Sequence, residues 1–224
     1  MTPERFAKLR RALERRQPDL TVLADGVNKP HNVSAILRTA DAVGIHRIHA
    51  ISTSGAMRRH HMIAGGVKNW VGLTLHASIE QALAALRADG WRLVAAQPST
   101  VARDYRSIDY TAKVAVIVGA ELLGPSPAAL AAADEHVAIP MLGLGESVNV
   151  SVATAVILLE AQRQRAAAGF YARPRLAAED LERTLFEWCY PDVAERCREL
   201  GRPYPPLGPD GAMLANPLKA GAAS

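Results

Sequence analysis

Residues 20–51 read LTVLADGVNKPHNVSAILRTADAVGIHRIHAI, and this stretch decides the fold class. Leu20–Ala24 is a short apolar run closed by Asp25 and Gly26, the pattern of a strand buried on both faces. A polar turn leads to Asn32, read as the N-cap of a helix that continues to Val43 and stops at Gly44. Val33, Ile36, Leu37, Ala40 and Val43 recur at helical spacing and give it one apolar face. Arg47–Ile51 reads as a second strand. Strand, helix and strand in this order form a βαβ unit, which sets the two strands parallel.

The alternation continues along the chain. Strands are expected at Trp70–Leu75, Trp91–Ala96, Val114–Val118 and His136–Pro140, with helices at Ile79–Ala88, Ala128–Ala133 and, long and apolar, Val150 to Ala168. An α/β fold follows, a parallel sheet with helices on both faces. Ligands of such sheets sit beyond the carboxyl ends of the strands, which singles out the loops at 25–32, 119–126 and 141–149. Ahead of this body, Thr2 and Pro3 open a helix whose apolar stripe is Phe6, Leu9 and Leu13 and whose other faces carry Arg5, Lys8, Arg10, Arg11, Arg15 and Arg16; Pro18 ends it. Behind it come a charged helix at Glu179–Trp188 and a Gly-, Pro- and Ala-rich tail from Gly201. The expected organisation is a basic helical extension over 1–18, the α/β domain over 19–168, and a C-terminal helical extension and tail over 169–224.

With 224 residues, 49% hydrophobic and 21% charged, the composition is that of a globular protein and excludes wholesale disorder and fibrous repeats. A net charge of +4 permits a nucleic-acid partner, while 5% aromatic residues argue against bases stacking along an open sheet. Cys189 and Cys197 are read in one helical stretch, too far apart to bridge, and no Cys/His set suggests zinc, so no metal is expected. No apolar stretch reaches the ~18 residues of a membrane span and the first residues lack a signal core, so a cytoplasmic protein with no membrane partner is expected.

Two loops carry candidate chemistry. Gly143-Leu-Gly145-Glu-Ser147-Val148 lies between a strand and a helix, as a dinucleotide fingerprint does, yet Val148 replaces the third glycine and no acidic residue follows at the ribose-binding distance. A glycine turn is the simpler reading. Ser147, Asn149 and Ser151 nevertheless cluster at a helix start, where free N–H donors favour polar or anionic ligands. Arg38 lies nearly two turns inside the helix that follows Asn32, and a guanidinium there needs a partner or a wet cleft. An ordinary ion pair with Asp41 or Glu121 and a functional role are equally open, and His31 reads as a loop hydrogen-bonder.

Three stretches together carry a resemblance: Asn32-Val-Ser-Ala-Ile-Leu-Arg38-Thr; Val114–Gly119 with Glu121 and Gly124; and Ile139-Pro-Met141 with Ser147-Val-Asn149-Val-Ser151-Val-Ala. They resemble the three motifs of the SPOUT RNA 2′-O-ribose methyltransferases, and RRQPDLTV, EAQRQRAAAGFY and YPDVAERCRELGRPYP extend the likeness over the full length. That layout is similar to members acting on tRNA without a separate RNA-binding domain. The resemblance implies a trefoil-knotted sheet, a homodimer, S-adenosylmethionine as cofactor, and 2′-O-methylation of guanosine 18 in the D-loop of tRNA. Methylation of a ribosomal RNA ribose is the rival within the class; a nucleotide-dependent oxidoreductase and a non-catalytic RNA-binding protein are rivals outside it.

The resemblance also implies roles. Arg38 activates the ribose hydroxyl, Asn32 orients Arg38 or the ribose, Glu121 holds the arginine, and Ser147 and Asn149 hold the substrate phosphate or the adjacent turn. Ala96, Gly119, Ile139, Met141, Gly143 and Val148 would contact the cofactor, mainly by backbone. Basic candidates for RNA are Lys8, Arg11, Arg58, Arg59, Lys68, Arg163, Arg165, Arg173 and Arg175. Where the family usually has a lysine after the second-motif glutamate this chain has Leu122, where an amide often precedes it the chain has Ala120, and Gly145-Glu146 stands before Ser147. The leucine takes a cation away from the site.

Overall fold

The computed structural model describes residues 1–51, 70–121 and 123–216. The chain divides into two units, one of residues 17–170 and one built from 1–16 together with 171–224.

The larger unit is a seven-stranded sheet: β1 (Leu20–Ala24), β2 (Arg47–Ile51), β3 (Gly72–His76), β4 (Arg92–Ala96), β5 (Arg103–Asp104), β6 (Val114–Val118) and β7 (Glu135–Ala138), in the order β3-β2-β1-β6-β4-β7-β5. All the paired strands run parallel. β1 and β6 lie at the centre, paired from Leu20↔Val114 to Ala24↔Val118, and every residue of both is buried. Their unbroken apolar runs follow from being covered on both faces.

Helix α2 (Pro30–Ala42) buries Val33, Ile36, Leu37 and Ala40, each aliphatic side chain contributing roughly 1.5–3 kcal/mol. It begins three residues earlier than the sequence suggests, since the N-cap is at 29 and not at 32. Lys29 occupies the N-cap position without a side-chain cap, and Pro30 at the first turn starts the helix because its φ is already helical. Asn32 is therefore inside the helix and buried, leaving its amide free for another task. Helix α3 (Ile79–Ala88) is capped by Ser78, and α4 (Pro127–Ala132) by Ser126. The expected third strand is shifted, running over Gly72–His76 rather than Trp70–Leu75.

Helix α5 (Val150–Ala167) follows the loop after β7 and packs against α2. Asn149 caps it, its Oδ1 accepting from Ser151 N at 2.8 Å. Near its end Arg165, expected as an RNA contact, is fully buried. Its guanidinium donates to Asp19 Oδ1 at 2.5 Å, Gln17 Oε1 at 3.1 Å, and the carbonyls of Tyr110, Ala112 and Asp19 at 2.8–2.9 Å. A guanidinium satisfied on all sides is a structural clamp and offers nothing to phosphate.

In the smaller unit, α1 (Pro3–Glu14) is capped by Thr2 and ends before Pro18 is reached, with Arg15 as its C-cap. Phe6, Leu9 and Leu13 face inward, while Lys8 and Arg11 are exposed. α6 (Ala178–Cys189) and α7 (Pro191–Glu199) are separate helices, broken at Tyr190 and Pro191, so Cys189 and Cys197 do not share a helix. Both are free and buried. Among the described residues no helix is long and apolar enough to cross a membrane.

Candidate active site

The carboxyl ends of β4, β6 and β7 open onto a cavity of about 290 Å³. Its walls come from three loops. Ala96 and Gln97 close β4; Gly119, Ala120 and Glu121 follow β6; Ile139, Met141, Ser147 and Val148 belong to the loop between β7 and α5. Five of the six expected cofactor residues thus line it: Ala96, Gly119, Ile139, Met141 and Val148. Gly143 does not. It is exposed, and a Cβ there would meet nothing within 4 Å, so neither its position nor its size shapes the cavity.

The turn after β6 imposes the tightest packing. Gly124 N donates to Ala120 O at 2.8 Å, folding the turn back on the strand end. Ser126 N donates to Asp25 Oδ2 at 2.7 Å, tying this turn to the end of β1. A Cβ on Gly119 would collide with the backbone of Gly124 and Pro125. Of the two expected cofactor glycines, Gly119 is the one whose lack of a side chain the packing requires, and Gly143 is not.

Beside the cavity stands a carboxylate–amide cluster. Glu121 accepts from Lys29 Nζ and from Asn32 Nδ2, and Asn149 Nδ2 donates to Asn32 Oδ1 at 3.3 Å and to Glu121 Oε1 at 3.4 Å. Three distant segments meet here: the start of α2, the turn after β6 and the start of α5. The Lys29 and Asn32 hydrogen bonds hold the Glu121 carboxyl below its ordinary value of 4.5. Ser147 is exposed and lines the cavity without joining this cluster.

Arg38 is elsewhere. It is exposed on α2, makes no ion pair among the described residues and does not line the cavity. Neither Asp41 nor Glu121 holds it, and Asn32 orients Glu121 instead. The helical stripe misled because Arg38 follows Leu37 on the outer edge of the apolar face. Lys29 is the residue the sequence reading missed: the cation beside Glu121 comes from a loop 92 positions before it in the chain. Nothing local in the sequence could reveal that partnership.

Of the other basic candidates, Arg163 is exposed but paired with Glu160 at 2.7–2.8 Å, and Arg173 is exposed. Arg58, Arg59 and Lys68 lie outside the described residues. No group of three or more His, Cys, Asp or Glu side chains suited to a metal occurs among the described residues.

Comparison with known proteins matches this architecture. Residues 19–159 match the SpoU rRNA Methylase family, and residues 163–216 match the SpoU, rRNA methylase, C-terminal family. The chain belongs to the SpoU methylase family. Among SpoU relatives, the Escherichia coli tRNA (guanosine(18)-2′-O)-methyltransferase is 45% identical over 96% of this chain and 95% of its own length. The Thermus thermophilus protein of the same name is 48% identical over 84% of this chain and 96% of its own. The crystal structure of the Aquifex aeolicus TrmH/SpoU tRNA modifying enzyme superposes with a TM-score of 0.78 at 40% identity, covering 85% of this chain and 97% of that one. A SpoU methyltransferase from Streptomyces viridochromogenes, solved in complex with AdoMet, superposes with a TM-score of 0.56 at 27% identity, covering 69% of this chain and 62% of that one.

The cavity of this SpoU protein fits S-adenosylmethionine. Small and apolar residues make up most of its wall, joined by Glu121, Glu146 and Ser147, and one buried polar atom in it, Gln97 Oε1, has no hydrogen-bond partner among the described residues. Ala96, Gly119, Ile139, Met141 and Val148 would hold the cofactor, largely through main-chain groups.

Proposed function

We propose that this protein is a tRNA (guanosine(18)-2′-O)-methyltransferase, which moves a methyl group from S-adenosylmethionine to the ribose 2′-hydroxyl of guanosine 18. The observation that carries the reading is the glycine-floored cavity at the carboxyl ends of β4, β6 and β7, with the Glu121–Asn32–Asn149 cluster on its rim. Near-full-length relatives of that name at 45% and 48% identity support the substrate. When bound, the cofactor supplies an electrophilic methyl on a positively charged sulfur.

The protein's share is alignment. An in-line displacement needs the attacking oxygen at near-attack distance, and a fixed cradle provides that without a reacting side chain. The hydrogen-bonded cluster holds the rim rigid, so Asn149 and Ser147 can seat the substrate backbone. A guanidinium holds its proton too firmly to act as a base, so Arg38 acts by stabilising the forming alkoxide with its charge. Being absent from the cavity of its own chain, Arg38 serves the site of a second protomer in a homodimer. Exposed Val152 and Leu159, seven positions apart on one face of α5, supply apolar contact for that partner. The chain threads the cradle as the trefoil knot of its family, and the enzyme works in the cytoplasm on phosphates met by Lys8, Arg11, Arg163 and Arg173.

The test is incubation with radiolabelled S-adenosylmethionine and an unmodified tRNA transcript, followed by mapping of alkali-resistant linkages. A single resistant linkage after guanosine 18, lost when that nucleotide is changed, is the expected result. Label appearing only in ribosomal RNA, or in neither RNA, overturns the reading.

A further inference from the structure

Gln97 is the first residue beyond β4, and its N–H extends the sheet by donating to Val137 O at 2.9 Å. Its side chain turns toward the loop after β6. Gly124 there sits at φ +67, and a Cβ on it would stand 2.8 Å from Gln97 Oε1. Both residues line the cavity. The Oε1 atom is buried and accepts no hydrogen bond among the described residues.

The backbone next to these two residues supplies no donor. Gly124 N–H is already committed to Ala120 O, and the flanking residues Pro98 and Pro125 have no N–H to give. The remaining wall around this point, Ala96, Val118, Val137 and Ile139, is apolar and offers no side-chain donor. An amide oxygen buried without a donor is costly, and folds keep such groups where a partner completes them.

We propose that Gln97 is a specificity residue of the cavity, its Oε1 accepting a hydrogen bond from an N–H or O–H donor on the nucleoside part of the methyl donor. This rests on the reading of the cavity as the S-adenosylmethionine site. A nucleoside fits the apolar wall better than the charged amino-acid end of the same molecule, because an ammonium there would lose its hydration with a single acceptor in return. The candidate donors are the exocyclic amine of the base and the ribose hydroxyls.

Calorimetric titration of the full-length protein with S-adenosylhomocysteine tests this. Gln97→Met keeps the side-chain length and deletes the acceptor, and binding about ten-fold weaker is expected. Analogues lacking the exocyclic amine, the 2′-hydroxyl or the 3′-hydroxyl identify the donor. One of them should bind the unaltered protein about ten-fold more weakly than the parent ligand and bind Gln97→Met no worse than the parent does. Equal affinity of both proteins for S-adenosylhomocysteine overturns the inference alone. If circular dichroism shows that Gln97→Met fails to fold, the analogues decide on the unaltered protein, and full affinity for all three overturns it. Failure of the unaltered protein to bind S-adenosylhomocysteine at all overturns the cavity reading and this inference together.

Discussion

A Cβ on Gly119 would stand 1.8 Å from the carbonyl carbon of Gly124. No side chain fits that gap, because its far side is backbone and cannot rotate away. The turn that floors the cavity exists only while position 119 is bare. Gly119→Ala must push the turn off the end of β6, at a cost of about 3 kcal/mol, and deform the cavity. Thermal unfolding should show a lower midpoint, and calorimetry should show S-adenosylhomocysteine binding reduced at least 100-fold. A variant binding normally would mean that the turn relaxes freely.

Lys29 and Asn32 hold the Glu121 carboxyl below 4.5, with Lys29 the larger influence. A depressed value in the folded state means that the cluster's contribution is present at neutral pH and is lost as pH falls through the folded value. Lys29→Met should move the Glu121 titration back up toward 4.5, read by carboxyl-carbon NMR. An unchanged titration would show that Asn32 and the local field suffice.

Arg38 is exposed and its side chain makes no hydrogen bond or ion pair among the described residues. Arg38→Ala should therefore shift stability by less than about 0.5 kcal/mol and leave S-adenosylhomocysteine affinity within about two-fold. Methyl transfer to tRNA should fall by roughly 10²–10³-fold, as for loss of one group stabilising a developing oxyanion. Parallel loss of ligand binding would recast Arg38 as structural.

Arg165 sits at the opposite extreme, buried with five hydrogen bonds that join α5 to Gln17, Asp19 and the segment before β6. Arg165→Ala should destabilise the larger unit by about 3–5 kcal/mol, measured by denaturant unfolding. Arg165→Lys should recover little, since an ammonium has three donors and no planar fork.

Raising salt should weaken tRNA binding steeply if Lys8, Arg11, Arg163 and Arg173 meet phosphates, because each such contact releases counterions. Filter binding at a series of ionic strengths checks this, and a flat response would remove these residues from the interface.

The strands were legible wherever burial is two-sided, because an apolar run such as Val114–Val118 carries its own boundary signals. β3 was misplaced because it is half-buried throughout and lacks that contrast. At α2, the proline at the first turn outweighed the capping preference of Asn32, and this freed the Asn32 amide for Glu121. The sequence therefore pointed to Asn32, Glu121 and Asn149 as a set through family resemblance, while the hydrogen bonds among them joined residues that no periodicity connects.

By itself, the sequence determined the α/β class, the parallel sheet and the loops that carry the site, since periodicity and punctuation act within a few residues. Tertiary structure alone decided that Lys29 rather than a neighbour of Glu121 supplies the cation, that Arg165 is a clamp and not an RNA contact, and that Arg38 stands outside its own cavity. Those outcomes depend on which distant segments the sheet order brings within hydrogen-bonding reach, and charge or spacing along the chain does not encode that distance.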